Sequence, residues 1–120
     1  MADITATPGE GTFWVQGKGT TTGSGFARIA GITMTASERV ARIQARVIDS
    51  EGNELGASAI GEVNPDTSEF EYLASSDDDT RVKIEVNITT ASNRIELSVA
   101  GGEGEEIQWR GWLQADVKFL

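Results

Sequence analysis

Apolar and polar residues alternate with a period of two through most of this chain, and that rhythm limits what it can fold into. In "TRVKIEVNIT", Val82, Ile84, Val86 and Ile88 fall on one side and Arg81, Lys83, Glu85 and Asn87 on the other. "NRIELSVAGG" repeats the pattern, with Ile95, Leu97 and Val99 against Arg94, Glu96 and Ser98. "SEFEYLAS" sets Phe70 and Tyr72 against Glu69 and Glu71. In the longest run, "QWRGWLQADVKFL", Trp109, Gly111, Leu113, Ala115, Val117 and Phe119 share a face opposed to Gln108, Arg110, Gln114, Asp116 and Lys118. Successive side chains of a strand project to opposite faces, so each run reads as a half-buried strand with its apolar set inward.

The runs are separated by turn chemistry. Gly52-Asn53 in "DSEGNELG" and Pro65-Asp66 in "VNPDTSE" mark tight turns, and "SSDDDT", "TTASN" and "GGEGEE" are polar connectors. Short strands with a turn signal every eight to twelve residues or so point to an all-β sandwich or barrel. The expected fold is one antiparallel β-sandwich domain over residues 1–120, jelly-roll-like, with about eight strands. Their expected positions are near 12–18, 24–34, 39–49, 54–63, 68–74, 80–89, 93–100 and 106–119.

One segment supports two readings. "TASERVARIQARVI" has Thr35 and Glu38 at capping-box spacing, and Val40, Ile43 and Val47 at helical intervals, which would make the class α+β with a helix near 36–48. As a strand it turns Ala41, Ile43, Ala45 and Val47 inward and Arg42, Gln44 and Arg46 outward. The strand is preferred because "VIDSEGNELGAS" then continues as a hairpin.

Composition narrows the chemistry. The 120 residues contain no cysteine and no histidine, which removes Cys-His and Ser-His-Asp nucleophile systems and zinc sites built on nitrogen and sulfur. A glycosidase-type carboxylate pair is the remaining catalytic route, but nearly all Asp and Glu fall in turns or at outward strand positions. The expectation is therefore not an enzyme, with no catalytic residues, no cofactor and no metal; a carboxylate-pair hydrolase or lyase is the remote alternative. "DSEGNELG" has Asp49, Glu51 and Asn53 at alternate positions like a calcium loop, but Glu54 stands where that motif needs glycine. Asp77–Asp79 and Glu103–Glu106 read as solvated acidic loops.

Nineteen acidic against ten basic residues give a net charge of −9, which argues against nucleic acid as a partner. Arg39, Arg42 and Arg46 are the nearest thing to a basic stripe and read as a solvated face. No apolar run is long enough for membrane insertion, and "MADITATPGEG" lacks the features of a secretory signal. A cytoplasmic chain, or one assembled into a particle, is expected. "QGKGTTTGSGFARI" matches no phosphate loop, so Gly17, Gly19, Gly23 and Gly25 are expected to form a flexible hairpin or mobile loop.

Trp112 breaks the alternation, because it is a large aromatic on the polar side of its strand. "TFWVQGKG" does the same, with Trp14, Gln16 and Lys18 opposed to Phe13 and Val15. If the first and last long strands are neighbours, the two indoles form a platform rimmed by Gln16, Lys18, Arg110, Gln114 and Asp116. The competing reading makes Trp112 a satellite core residue covered by its own chain. Candidate binding residues are thus Trp14, Gln16, Lys18, Arg110, Trp112 and Gln114. The platform fits an aromatic anchor in a protein interface or stacking on a sugar ring. The expected role is a non-catalytic interaction or structural module of a larger assembly, such as a virion or phage particle, through a protein partner or self-association. A small carbohydrate-binding domain is the alternative.

Overall fold

A computed structural model describes residues 2–6, 11–34, 39–64, 69–77, 81–88 and 93–119. Nine strands follow one another: β1 (Ala2–Ala6), β2 (Gly11–Thr21), β3 (Ala27–Met34), β4 (Arg39–Asp49), β5 (Glu54–Asn64), β6 (Glu69–Asp77), β7 (Val82–Ile88), β8 (Asn93–Val99) and β9 (Ile107–Phe119). They form two sheets, one of four strands in the order β1-β3-β8-β7 and one of five in the order β2-β9-β4-β5-β6. The fold is an all-β sandwich, and no helix occurs among the described residues. Every pairing is antiparallel except β1 with β3, which is parallel.

One difference from the sequence expectation has a local cause. β1 adds a ninth strand, because five residues with one large apolar side chain give too little alternation to announce themselves. Residues 39–49 are a strand along their whole length, the preferred of the two sequence readings, and the helical alternative falls. β4 is paired on both sides, with β5 and β9, so backbone ladders and burial of Ile43, Ala45 and Val47 override the helical propensity of Ala, Arg and Gln. The Thr35–Glu38 capping box and the Pro65-Asp66 turn lie outside the described residues.

The core lies between the sheets. Val15, Ile43, Val47, Trp109, Leu113 and Ala115 from the five-stranded sheet meet Ile29, Ile32, Val82, Ile95, Leu97 and Val99 from the other. Trp109 is inside as its register demands, and its indole N–H donates to the Thr21 hydroxyl at 2.8 Å, which satisfies the one polar atom it buries. The side chains of Phe70 and Tyr72 fall outside the described residues.

Ile29 has a special position. It is the extra residue of a bulge in β3, where Arg28 faces Ser98 and Ala30 faces Leu97. The bulge lets Ile29 and Ala30 both be buried. Opposite them, Gly17 of β2 and Gly111 of β9 are directly paired, and Gly19 is next on the same face. A Cβ on Gly17 would overlap the Ile29 carbonyl oxygen, and one on Gly111 would come within 2.7 Å of Ile29 Cδ1. Gly17 and Gly19 are therefore part of a socket in a regular strand rather than of a flexible loop. Gly23 and Gly25, with nothing within 4 Å of a Cβ, lie in the bend that follows.

Glu96 and Ser98 depart from their expected solvent exposure. Both lie on the outer side of β8, yet they are only 2% and 1% exposed. β8 is an interior strand: Ser98 stands between Arg28 and Lys83, and Glu96 is approached by Arg28 from β3 and by Arg94 of its own strand. Glu96 is held by ion pairs to Arg28 and to Arg94 Nε, the latter at 2.8 Å. Arg94 also reaches both carboxylate oxygens of Asp3, at 2.8 and 3.0 Å, across Gly31, whose missing side chain leaves the path open. The Asp3 hydrogen bonds, opposed by burial and reinforced by Glu96, raise the Arg94 pKa above its ordinary value.

Candidate interaction surface

β2 and β9 are neighbours over eleven residue pairs, from Gly11 opposite Val117 to Thr21 opposite Ile107. Inward positions are taken by Val15, Gly17, Leu113 and Ala115, so the even-numbered residues of both strands project from the outer face of the sheet. On that face Trp14 stands opposite Gln114, Gln16 opposite Trp112, and Lys18 opposite Arg110. The structure thus brings all six expected residues onto one surface, with the two indoles on a diagonal between adjacent strands. Thr12 and Asp116 close one end, where the Thr12 hydroxyl donates to Asp116 Oδ1 at 2.7 Å.

The indoles differ in exposure. Trp14 is 63% exposed, a large apolar area to leave in water, whereas Trp112 is half-buried. Trp112 therefore combines both readings of its position: its own chain covers part of it, and the rest is open. A groove of about 510 Å³ lies over the pair, lined by Trp14, Trp112, Gln114, Arg46, Ile48 and Glu54. A second hollow, of about 610 Å³, continues past Trp112 along Lys18, Ile48, Gln108 and Arg110.

Arg46, Ile48 and Glu54 were not among the expected site residues. They arrive because β4 flanks β9 on the side away from β2, with Arg46 opposite Trp112 and Ile48 opposite Arg110. Glu54 of β5 stands opposite Ile48 and forms an ion pair with Arg46. A signal was present in the sequence: Ile48 is an aliphatic residue at an outward position and is 38% exposed, the same anomaly that marks Trp112. Its proximity to Trp112 depends on strand order, which alternation does not encode.

The face carries a charge unlike that of the whole chain. Among the described side chains on β2, β9, β4 and β5, outward positions hold Lys18, Arg42, Arg46 and Arg110 against Asp116, Glu54 and Glu62, with Arg46 paired to Glu54. An apolar centre whose surround carries a slight excess of basic groups is thus presented by a chain of net charge −9.

The buried carboxylates are occupied elsewhere. Asp49 Oδ1 accepts the backbone N–H of Asn53 at 2.8 Å and of Glu51 at 3.0 Å, and Oδ2 accepts the Asn53 amide at 3.1 Å. These bonds close the β4–β5 turn, in which Gly52 takes φ +88°. Burial pushes the Asp49 pKa up, but the hydrogen bonds from Asn53 and Glu51 and the nearby Arg81 charge outweigh it and hold the carboxyl below its ordinary value. Glu96 is on the outer side of β8 in the opposite sheet, away from Asp49, so these two acids do not face one another. No cluster of three or more metal-ligating side chains occurs among the described residues. Glu103, Glu105 and Glu106 are exposed around a turn with Gly104 at φ +77°, and Asp78 and Asp79 lie outside the described residues.

No protein-family model and no curated protein matches the chain. Among solved structures, the Acinetobacter phage vB_ApiP_P1 tailspike protein aligns with 91% of this chain and 22% of its own length, at 5% identity and a TM-score of 0.39. A likeness of that depth carries no argument about function.

Proposed function

We propose that the chain is a non-catalytic interaction module of a larger assembly and docks a protein partner on the outer face of its five-stranded sheet. The observation that carries this reading is the 63% exposed indole of Trp14 beside Trp112 and Ile48 in a shallow groove flanked by Lys18, Arg46 and Arg110. Protein interfaces concentrate tryptophan and arginine in their energetic centres, and water-exposed aromatic area gains most from being covered. Lys18, Arg42, Arg46 and Arg110 favour a partner surface rich in carboxylates.

The test is Trp112→Ala, which truncates a half-buried side chain outside the hydrophobic core. The variant is expected to remain folded while losing at least tenfold in affinity for the protein that co-purifies with the wild type. Wild-type material that brings down no protein, with Trp14 and Trp112 open to a fluorescence quencher in every preparation, would overturn the reading.

A carbohydrate ligand is the second reading, favoured by the side-chain amides of Gln16, Gln44 and Gln114 around the indoles. A planar indole stacks on a pyranose face while amides bond its hydroxyls. Titration of intrinsic fluorescence across a diverse glycan panel separates the two readings, since the protein-docking reading expects no response.

A further inference from the structure

Four strands form the lateral edges of the two sheets: β1 and β7 of one, β2 and β6 of the other. An unpaired edge is a template for another strand unless it is short, charged or interrupted. Three of these edges are guarded. β1 has five residues and carries Asp3, and β7 has seven and carries Lys83 and Glu85. β6 carries Glu69, Glu71 and Asp77, and a bulge leaves its Leu73 without a cross-strand partner. β2 is the least protected of the four. It runs for eleven residues, "GTFWVQGKGTT", with no proline, no acid, an unbroken ladder to β9 and Lys18 as its one charge. Among the described residues no strand or turn supplies backbone partners to its other side. In a chain of net charge −9, it is the edge a second copy approaches without acid meeting acid.

We propose that β2 pairs antiparallel with β2 of a second copy about a two-fold axis through Gln16, joining the two five-stranded sheets into one continuous sheet. Outward residues must meet outward residues in such a ladder, so the register shifts only in steps of two. The register centred on Gln16 pairs all eleven residues. On the outer face Thr12 meets Thr20 of the second copy, Trp14 meets Lys18, and Gln16 meets itself. On the inner face Phe13 meets Gly19 and Val15 meets Gly17. Threonine pairs and facing amides hydrogen-bond, and a lysine over an indole is a cation–π contact. No like charges are opposed. This matching of a strand to its own reverse is what an isologous interface requires.

The edge is a different surface from the docking face: Trp14, Gln16 and Lys18 belong to both, Trp112 and Arg46 to the face alone. Sedimentation equilibrium of the wild type is expected to show a reversible monomer–dimer equilibrium. Gln16→Glu sets two carboxylates against each other on the axis and is expected to weaken the dimer at least tenfold, with Tm unchanged at concentrations where both proteins are monomeric. Trp112→Ala is expected to leave the dimer intact. Because the chain has no cysteine, Gln16→Cys supplies one thiol per copy, and paired residues at about 4.5–5.5 Å between Cα atoms are within disulfide reach. Mild oxidation is expected to link Gln16→Cys into a covalent dimer and to leave Thr20→Cys, whose like residues are far apart in this register, unlinked. A wild type that stays monomeric at all concentrations overturns the proposal. So does linking of Gln16→Cys no faster than Thr20→Cys. A dimer lost in Trp112→Ala but not in Gln16→Glu overturns it too, and assigns self-association to the face.

Discussion

At Gly17 the two layers touch through backbone. The Ile29 carbonyl occupies the space a Cβ would need, and neither main chain has a rotamer with which to yield. Gly17→Ala is expected to destabilise the fold by about 3 kcal/mol, at the upper end of what overpacking costs. Gly25→Ala, where nothing lies within 4 Å, is expected to stay within about 0.5 kcal/mol of the wild type. Urea midpoints for both variants check the contrast. Composition treats these two glycines alike. What distinguishes them is parity: Gly17 and Gly19 share the side of Val15, the inward side of β2, whereas Gly25 follows the strand. The knob that fills the socket, Ile29, was not foreseeable, because a bulge leaves no mark in a hydrophobic pattern.

The β4–β5 hairpin shows an element stabilised by an ionised group. Asp49 is 4% exposed and its pKa is lowered, so the folded state holds its carboxylate more strongly than the unfolded chain does. That contribution is complete above the unfolded aspartate value of about 4 and is lost as pH falls through the lower folded value. Asp49→Asn is therefore expected to be less stable than the wild type at neutral pH, with the difference shrinking on acidification below about pH 4. Thermal melts of both proteins across that range test the sign. The turn itself was legible from Gly52-Asn53, and so was the strand that leads into it. The burial of Glu96 was not. Alternation assigns a residue to a face, but the covering of that face by Arg28 and Arg94 is a tertiary fact. The candidate face was legible only in part: Trp14 and Trp112 stood out against the polar side of their strands, while Arg46 and Glu54 reached them through a strand order that no local signal carries.

The whole molecule is an acidic body with one face slightly richer in basic than in acidic groups, and salt acts differently on its two proposed contacts. Dimerisation through β2 brings together two bodies of net charge −9, so raising ionic strength screens repulsion and is expected to tighten it. A carboxylate-bearing partner on the Lys18, Arg46 and Arg110 side is attracted, so the same change is expected to weaken that complex. Dissociation constants measured for each between 20 and 200 mM salt, roughly a threefold change in Debye length, are thus expected to move in opposite directions. The seating of Ile29 among paired glycines also bears on how the molecule answers load. Two smooth sheets held by greasy contact alone can glide over each other in small steps. A side chain keyed into a notch with no spare depth blocks such sliding at that point, so any shift of one layer over the other has to lift Ile29 out of its seat first.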